Sequence, residues 1–113
     1  MACLFCDIAA GVIPADIVLN EPDVIALRDR NPQAPTHFLI IPKQHIATIN
    51  DVMHADQQLM GRLVMVAQSL AVAEGIAESG YRLLFNVNAA GGQTVYHIHL
   101  HLLGGRVMHW PPG

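Results

Sequence analysis

Apolar positions at Leu4, Phe5, Ile8 and Ala9 recur at helical spacing and are followed by Gly11 and Pro14, which predicts a short helix over residues 3–10. Two short apolar runs, Ile17 to Leu19 and Val24 to Leu27, flank the turn-forming Asn20-Glu21-Pro22-Asp23 and predict a β-hairpin. Asn31 to Pro35 carries two prolines, which lack the ladder donor, so it is a loop. His37 to Ile41 predicts a strand stopped by Pro42. From Asp56 to Glu78 apolar residues step by three or four, predicting one long helix closed by Ser79-Gly80. Tyr81 to Val87 and Val95 to Leu103 are the last two predicted strands, joined by Asn88 to Gln93. This order predicts an α+β fold: an antiparallel sheet of about five strands with one long and one short helix.

Length and charge narrow the picture. The 113 residues suit a single domain, 1–113, and no internal repeat or low-complexity tract divides them. With 52% hydrophobic and 13% charged residues, the chain folds and carries surplus apolar surface, for which a homodimer interface is the expected use. A formal charge of −3 and a single lysine, Lys43, leave no footprint for a nucleic acid polymer. No charged n-region precedes an apolar segment, and the most apolar stretch, Leu63 to Ala77, is too short to span a bilayer, so a cytoplasmic protein without membrane contact is expected.

The seven histidines change the picture most. His97, His99 and His101 alternate with Ile98, Leu100 and Leu102, so on a strand all three imidazoles share one face at ~7 Å intervals. A solvated face and a three-histidine zinc site are alternatives, but a flat strand resists bringing its outer imidazoles within ~2.0 Å of one ion. Nucleophilic catalysis fits better. The preceding Gly91-Gly92-Gln93-Thr94 offers backbone N–H groups, an amide and a hydroxyl that suit phosphate oxygens.

His97 to Leu103 resembles the His-φ-His-φ-His-φ-φ signature of the histidine triad superfamily of nucleotidyl hydrolases and transferases. Pro35 to Lys43 with His45, the loop Gly91 to Tyr96, and the ending from Gly104 through Trp110 to Gly113 look like its purine nucleoside phosphoramidase branch. The resemblance implies cleavage of a P–N bond through a nucleotidyl-histidine on His99, with His101, Gln93 and Thr94 stabilising charge. It implies phosphate contacts from Asn86, Gly92, Gln93 and Thr94, ribose binding by Asp29, and purine packing by Leu4, Phe5, Ile8 and Leu27. Asp29 as a turn residue and the apolar set as plain core are the alternatives. Arg30 departs from the pattern, in which an apolar residue follows the aspartate, and leaves the choice between adenine and guanine open. His37 either supports the catalytic strand or is a satisfied core histidine.

A single C-x-x-C, Cys3 and Cys6, supplies half a zinc site. By the same resemblance His45 and His97 complete a structural zinc site, with buried inert thiols or a redox pair as alternatives. No cofactor is expected for catalysis. The resemblance further implies a two-fold homodimer with a joined sheet and Trp110 reaching the partner's leaving-group site. A dinucleoside polyphosphate hydrolase shares the triad, but the Trp110-Pro111-Pro112-Gly113 ending argues against it. A nucleotide-binding scaffold with vestigial activity is opposed by the intact His99 and His101.

Overall fold

The computed structural model describes residues 3–113. Its strands are β1 (Ile17–Asn20), β2 (Val24–Arg28), β3 (Thr36–Pro42), β4 (Tyr81–Leu84) and β5 (Leu100–Gly104), and its helices are α1 (Leu4–Ala9) and α2 (Gln57–Ala73). The five strands form one sheet in the order β1-β2-β3-β5-β4, and every pairing is antiparallel. The last strand therefore enters between β3 and β4, which makes β5, carrying His101, an interior strand. The α+β expectation holds.

Both faces of the sheet are covered, which explains why β2 and β3 read as unbroken apolar runs. Val24, Ala26, Phe38, Ile40, Leu100 and Leu102 face Leu63, Val66, Ala67 and Ala71 of α2. Ile25, Leu27, Leu39 and Ile41 face Phe5 and Ile8 of α1. Among described residues, no helix is long and apolar enough to cross a membrane.

Three element boundaries differ from the sequence reading by more than one residue. The long helix stops at Ala73, five residues before Glu78, because Gly75 adopts φ 74° and builds a Schellman end: Gly75 N–H bonds the Val72 carbonyl and Ile76 N–H the Ala71 carbonyl, both at 3.1 Å. Ile76 then turns into the core against Gly104, where a Cβ would lie 2.4 Å from its Cδ1. The fourth strand ends at Leu84 instead of Val87. The fifth begins at Leu100, not Val95, because the preceding segment bonds elsewhere: Ile98 N–H reaches the Ile46 carbonyl at 2.8 Å. On α2, Leu63 and Val66 pack on the chain's own sheet while Val64, Met65 and Val72 are exposed.

Candidate active site

A cavity of about 320 Å³ opens between α1 and the strand ends. One end is apolar, walled by Leu4, Phe5, Ile8, Ile13, Ala15, Leu27, Leu39 and Val95. The other presents Asp29, Arg30, Thr94, His99 and His101, with Arg28 at its margin. Leu39 belongs here because it pairs with His101 across the β3–β5 ladder, so the two side chains share a face. Strand alternation around His37 contained that signal; Ile13, Ala15 and Val95, which lie in irregular segments, had none.

His97 and His99 precede the last strand, yet alternation persists: Ile98 is buried on the α2 side while the imidazoles gather on the α1 side. The rings of His99 and His101 lie closer than strand spacing alone implies, with centroids 4.9 Å apart. The Phe5 ring stands edge-on to both His99, at 4.9 Å, and His97, at 6.0 Å.

Hydrogen bonds assign the proton on each imidazole. His99 Nδ1 lies 2.8 Å from the His97 carbonyl, which only accepts, so Nδ1 carries the proton and Nε2 the lone pair. His37 Nδ1 accepts the Gln33 backbone N–H at 3.1 Å, so its Nε2–H donates to His101 Nδ1 at 2.9 Å. His101 therefore keeps its proton on Nε2, an atom that is buried and has no partner among the described residues. The cavity thus holds a free nucleophilic lone pair beside an unsatisfied donor. His37, 5% exposed, supports the last strand's histidine directly and is at the same time a satisfied buried histidine.

Burial holds His99 and His37 below the ordinary histidine value and drives His101 down to about 4, with His99 and His37 adding to the effect on His101. All are neutral at pH 7. For His101 the unfolded chain titrates at 6.5 and the folded chain at about 4, so the unfolded state binds more protons between these values. The associated stability is complete above pH 6.5 and is lost as pH falls toward 4. Thermal melts should show Tm falling across that window, and less steeply in His101→Asn; parallel profiles would contradict the assignment.

The other expected contacts sort unevenly. Asp29 lines the cavity and is also a turn residue: Oδ1 accepts the Asn31 N–H at 2.8 Å, and Oδ2 lies 3.4 Å from His37 Nε2. Arg30 is exposed at the rim. Asn86, Gly92, Gln93 and Trp110 do not line the cavity. Gly92 and Gln93 N–H groups are engaged inside their own turn, with the Ala89 and Asn88 carbonyls at 3.0 Å. The Gln93 side chain is likewise occupied, accepting the Asn88 N–H and donating to the Ala47 and Val95 carbonyls, and it fixes the loop that presents Thr94. Asn86 is half-buried outside the lining, and Trp110 is 83% exposed on the tail.

Beside the cavity, Cys3, Cys6, His45 and His97 bring their donor atoms together. His97 Nε2–H donates to the Pro42 carbonyl at 2.7 Å, which turns the Nδ1 lone pair toward the other three. Tetrahedral zinc, bound at ~2.3 Å by sulfur and ~2.05 Å by nitrogen, places N···N pairs about 3.3 Å and S···N pairs about 3.5 Å apart. The observed N···N separation is 3.1 Å and the S···N separations are 3.3, 3.5 and 3.5 Å. The four residues fit the ion. Asp29, His37 and His101 also cluster, but there the facing nitrogens of His37 and His101 are joined by a hydrogen bond.

The chain is 55% identical over 103 residues to the purine nucleoside phosphoramidase of Escherichia coli (strain K12), covering 91% of this chain and 87% of that protein. The fold matches the crystal structure of a HIT family hydrolase from Legionella pneumophila Philadelphia 1 with a TM-score of 0.98 at 62% identity, covering 99% of this chain and 100% of the other. A Zn-bound histidine triad family protein from Mycobacterium smegmatis matches with a TM-score of 0.82 at 30% identity, covering 94% and 76%. The family model of the HIT domain spans residues 10–108, and with that span joined to these relatives the chain belongs to the HIT domain family.

Proposed function

We propose that this chain is a hydrolase that cleaves the P–N bond of purine nucleoside 5′-phosphoramidates, such as adenosine 5′-monophosphoramidate or a nucleotidyl-lysine. One observation carries the reading: the free lone pair on His99 Nε2 stands beside the partnerless buried donor His101 Nε2–H, at the polar end of a cavity whose other end is apolar. A purine fits the apolar end and a phosphate the polar one. His99 Nε2 attacks the α-phosphorus, the P–N bond breaks as the leaving nitrogen takes a proton from solvent and departs as a neutral amine, and the positive charge on the nucleotidyl-imidazole is stabilised by the His97 carbonyl at Nδ1. His101 Nε2–H donates to the phosphoryl oxygen as its charge grows. Water then displaces the histidine and releases the nucleoside monophosphate. The name of the E. coli relative supports this substrate class.

Turnover of a fluorogenic AMP-amide, compared with a diadenosine polyphosphate, tests the reading. The amide should be cleaved with a kcat/KM at least ~10²-fold higher. Preference for the polyphosphate would favour the dinucleotide reading, and binding of AMP without turnover of either would favour a scaffold.

The Cys3, Cys6, His45 and His97 quartet is the place for a structural zinc ion, which when bound supplies a cross-link between α1 and the segment before β5. None of the four ligands lines the cavity. Assembly follows from the edge: β4 ends the sheet with half-buried residues, and Val107 and Trp110 stand exposed nearby on the tail. A two-fold homodimer joining two sheets covers that edge and carries each Trp110 toward the partner's cavity. Light scattering at micromolar concentration should give a dimer. Deleting residues 107–113 should reorder amine leaving groups more than it changes AMP affinity; a fully active monomer, or an unchanged order, would remove Trp110 from this role.

A further inference from the structure

A His99 nucleophile works in only one of its two neutral tautomers, with the proton on Nδ1 and the lone pair on Nε2. The selecting group is the main-chain carbonyl of His97, 2.8 Å from Nδ1. That peptide lies ahead of β5 and has no place in the strand ladder. Its N–H, that of Ile98, bonds the Ile46 carbonyl at 2.8 Å, and its carbonyl end is anchored by the His97 ring, which is 0% exposed and held at both nitrogens. Nε2–H is bonded to the Pro42 carbonyl at 2.7 Å, and Nδ1 meets Cys3 Sγ at 3.3 Å, Cys6 Sγ at 3.5 Å and His45 Nδ1 at 3.1 Å.

The same thiols hold the opposite wall of the cavity. Cys3 caps α1 through its sulfur, which accepts the Cys6 N–H, and Cys6 lies within the helix. One turn of α1 carries Leu4, Phe5 and Ile8 into the cavity, and Phe5 touches the rings of both His97 and His99. A displacement of the cysteines therefore moves the base wall and the carbonyl that sets the tautomer together.

We propose that Cys3, Cys6 and His97 are positioning residues for the reaction: the quartet holds the His97 peptide so that its carbonyl keeps His99 in the Nδ1–H tautomer, and it holds α1 as the base wall. The inference rests on His99 being the nucleophile. It concerns the ligand residues whether or not an ion ties them.

Long-range ¹H–¹⁵N spectra of histidine-labelled full-length protein test it without substrate. Wild-type His99 should show well-separated protonated Nδ1 and unprotonated Nε2 resonances. In Cys6→Ser the two should move toward each other as the tautomers exchange, with kcat falling about 10- to 100-fold and KM rising several-fold under conditions where circular dichroism shows a folded chain. His45→Ala, at an exposed position, should give the same change on a smaller scale and serves if Cys6→Ser does not fold. Val66→Ala destabilises the opposite face of the sheet and should leave both the spectra and kcat unchanged. Unmoved His99 resonances and an unmoved kcat in a folded Cys6→Ser or His45→Ala overturn the proposal, as does a Val66→Ala protein that reproduces their change. If the nucleotidyl-histidine never forms, the nucleophile reading fails while the tautomer measurement stands; metal-free wild-type protein removes zinc but not the spectroscopic comparison.

Discussion

His99→Asn is expected to lose at least about 10³-fold in kcat while AMP affinity stays within a few-fold, because the substitution removes the atom that forms the bond to phosphorus. Asparagine can still donate to the His97 carbonyl, so the local hydrogen bond survives and the loss reports chemistry. The cavity residues proposed to hold the nucleotide, Leu4, Phe5, Ile8 and Leu27 at one end and Asp29 at the other, are untouched. His101→Ala should cost less, about 10²-fold, because it removes one donor to developing charge and leaves the nucleophile in place. Steady-state kinetics beside AMP titration separates the two. An equal loss in both variants, or a His99→Asn enzyme at more than a few per cent of wild-type rate, would count against a covalent route.

The second large effect is expected in stability. Four ligand atoms already lie at tetrahedral separations, so little rearrangement accompanies zinc binding, and its binding free energy adds to folding. Protein purified without chelator should carry about one zinc per chain. Removing it should lower Tm by about 10 °C, the shift expected for a loss of roughly 2 kcal/mol at about 4–8 °C per kcal/mol in a chain near this size. A Cys3→Ser/Cys6→Ser protein should melt at the chelated temperature and no longer respond to chelator. An equal Tm before and after chelation would show that the quartet holds through its own hydrogen bonds alone.

The legible parts of the fold were those where a period or a stop signal acts locally. The β1–β2 turn, the stop at Pro42 and the helical stride through Leu63, Val66 and Leu70 are of this kind. Boundaries decided by tertiary bonds were not. The helix gives way at Gly75 because Ile76 has a core site against Gly104, a partner 28 residues away in the chain. The histidine segment leaves strand geometry because Ile98 bonds Ile46 and His97 bonds Pro42, neither of which its own pattern predicts.

The site shows the same division. Strand alternation placed the histidines together, and the family resemblance supplied their partners Cys3, Cys6 and His45, which the structure brings within reach of His97. Gln93 shows what residue type leaves out: its amide suits phosphate, and the structure engages that amide with the Ala47 and Val95 carbonyls. The tautomers were beyond the sequence altogether. They depend on main-chain groups, the Gln33 N–H and the His97 and Pro42 carbonyls, which every residue carries and no residue type announces.

The covalent nucleotidyl-histidine is the central claim, and mass spectrometry of enzyme quenched during turnover tests it most directly. Quenching in alkaline denaturant preserves the acid-labile P–N bond of the adduct. Trypsin releases Leu83 to Arg106 as one peptide containing His97, His99 and His101, so fragmentation assigns the modified ring. The account predicts a nucleotidyl mass on His99 that rises during turnover, decays once substrate is exhausted, and is missing from His99→Asn. Turnover with no adduct at any quench time, or an adduct on His97 or His101 instead, would contradict it.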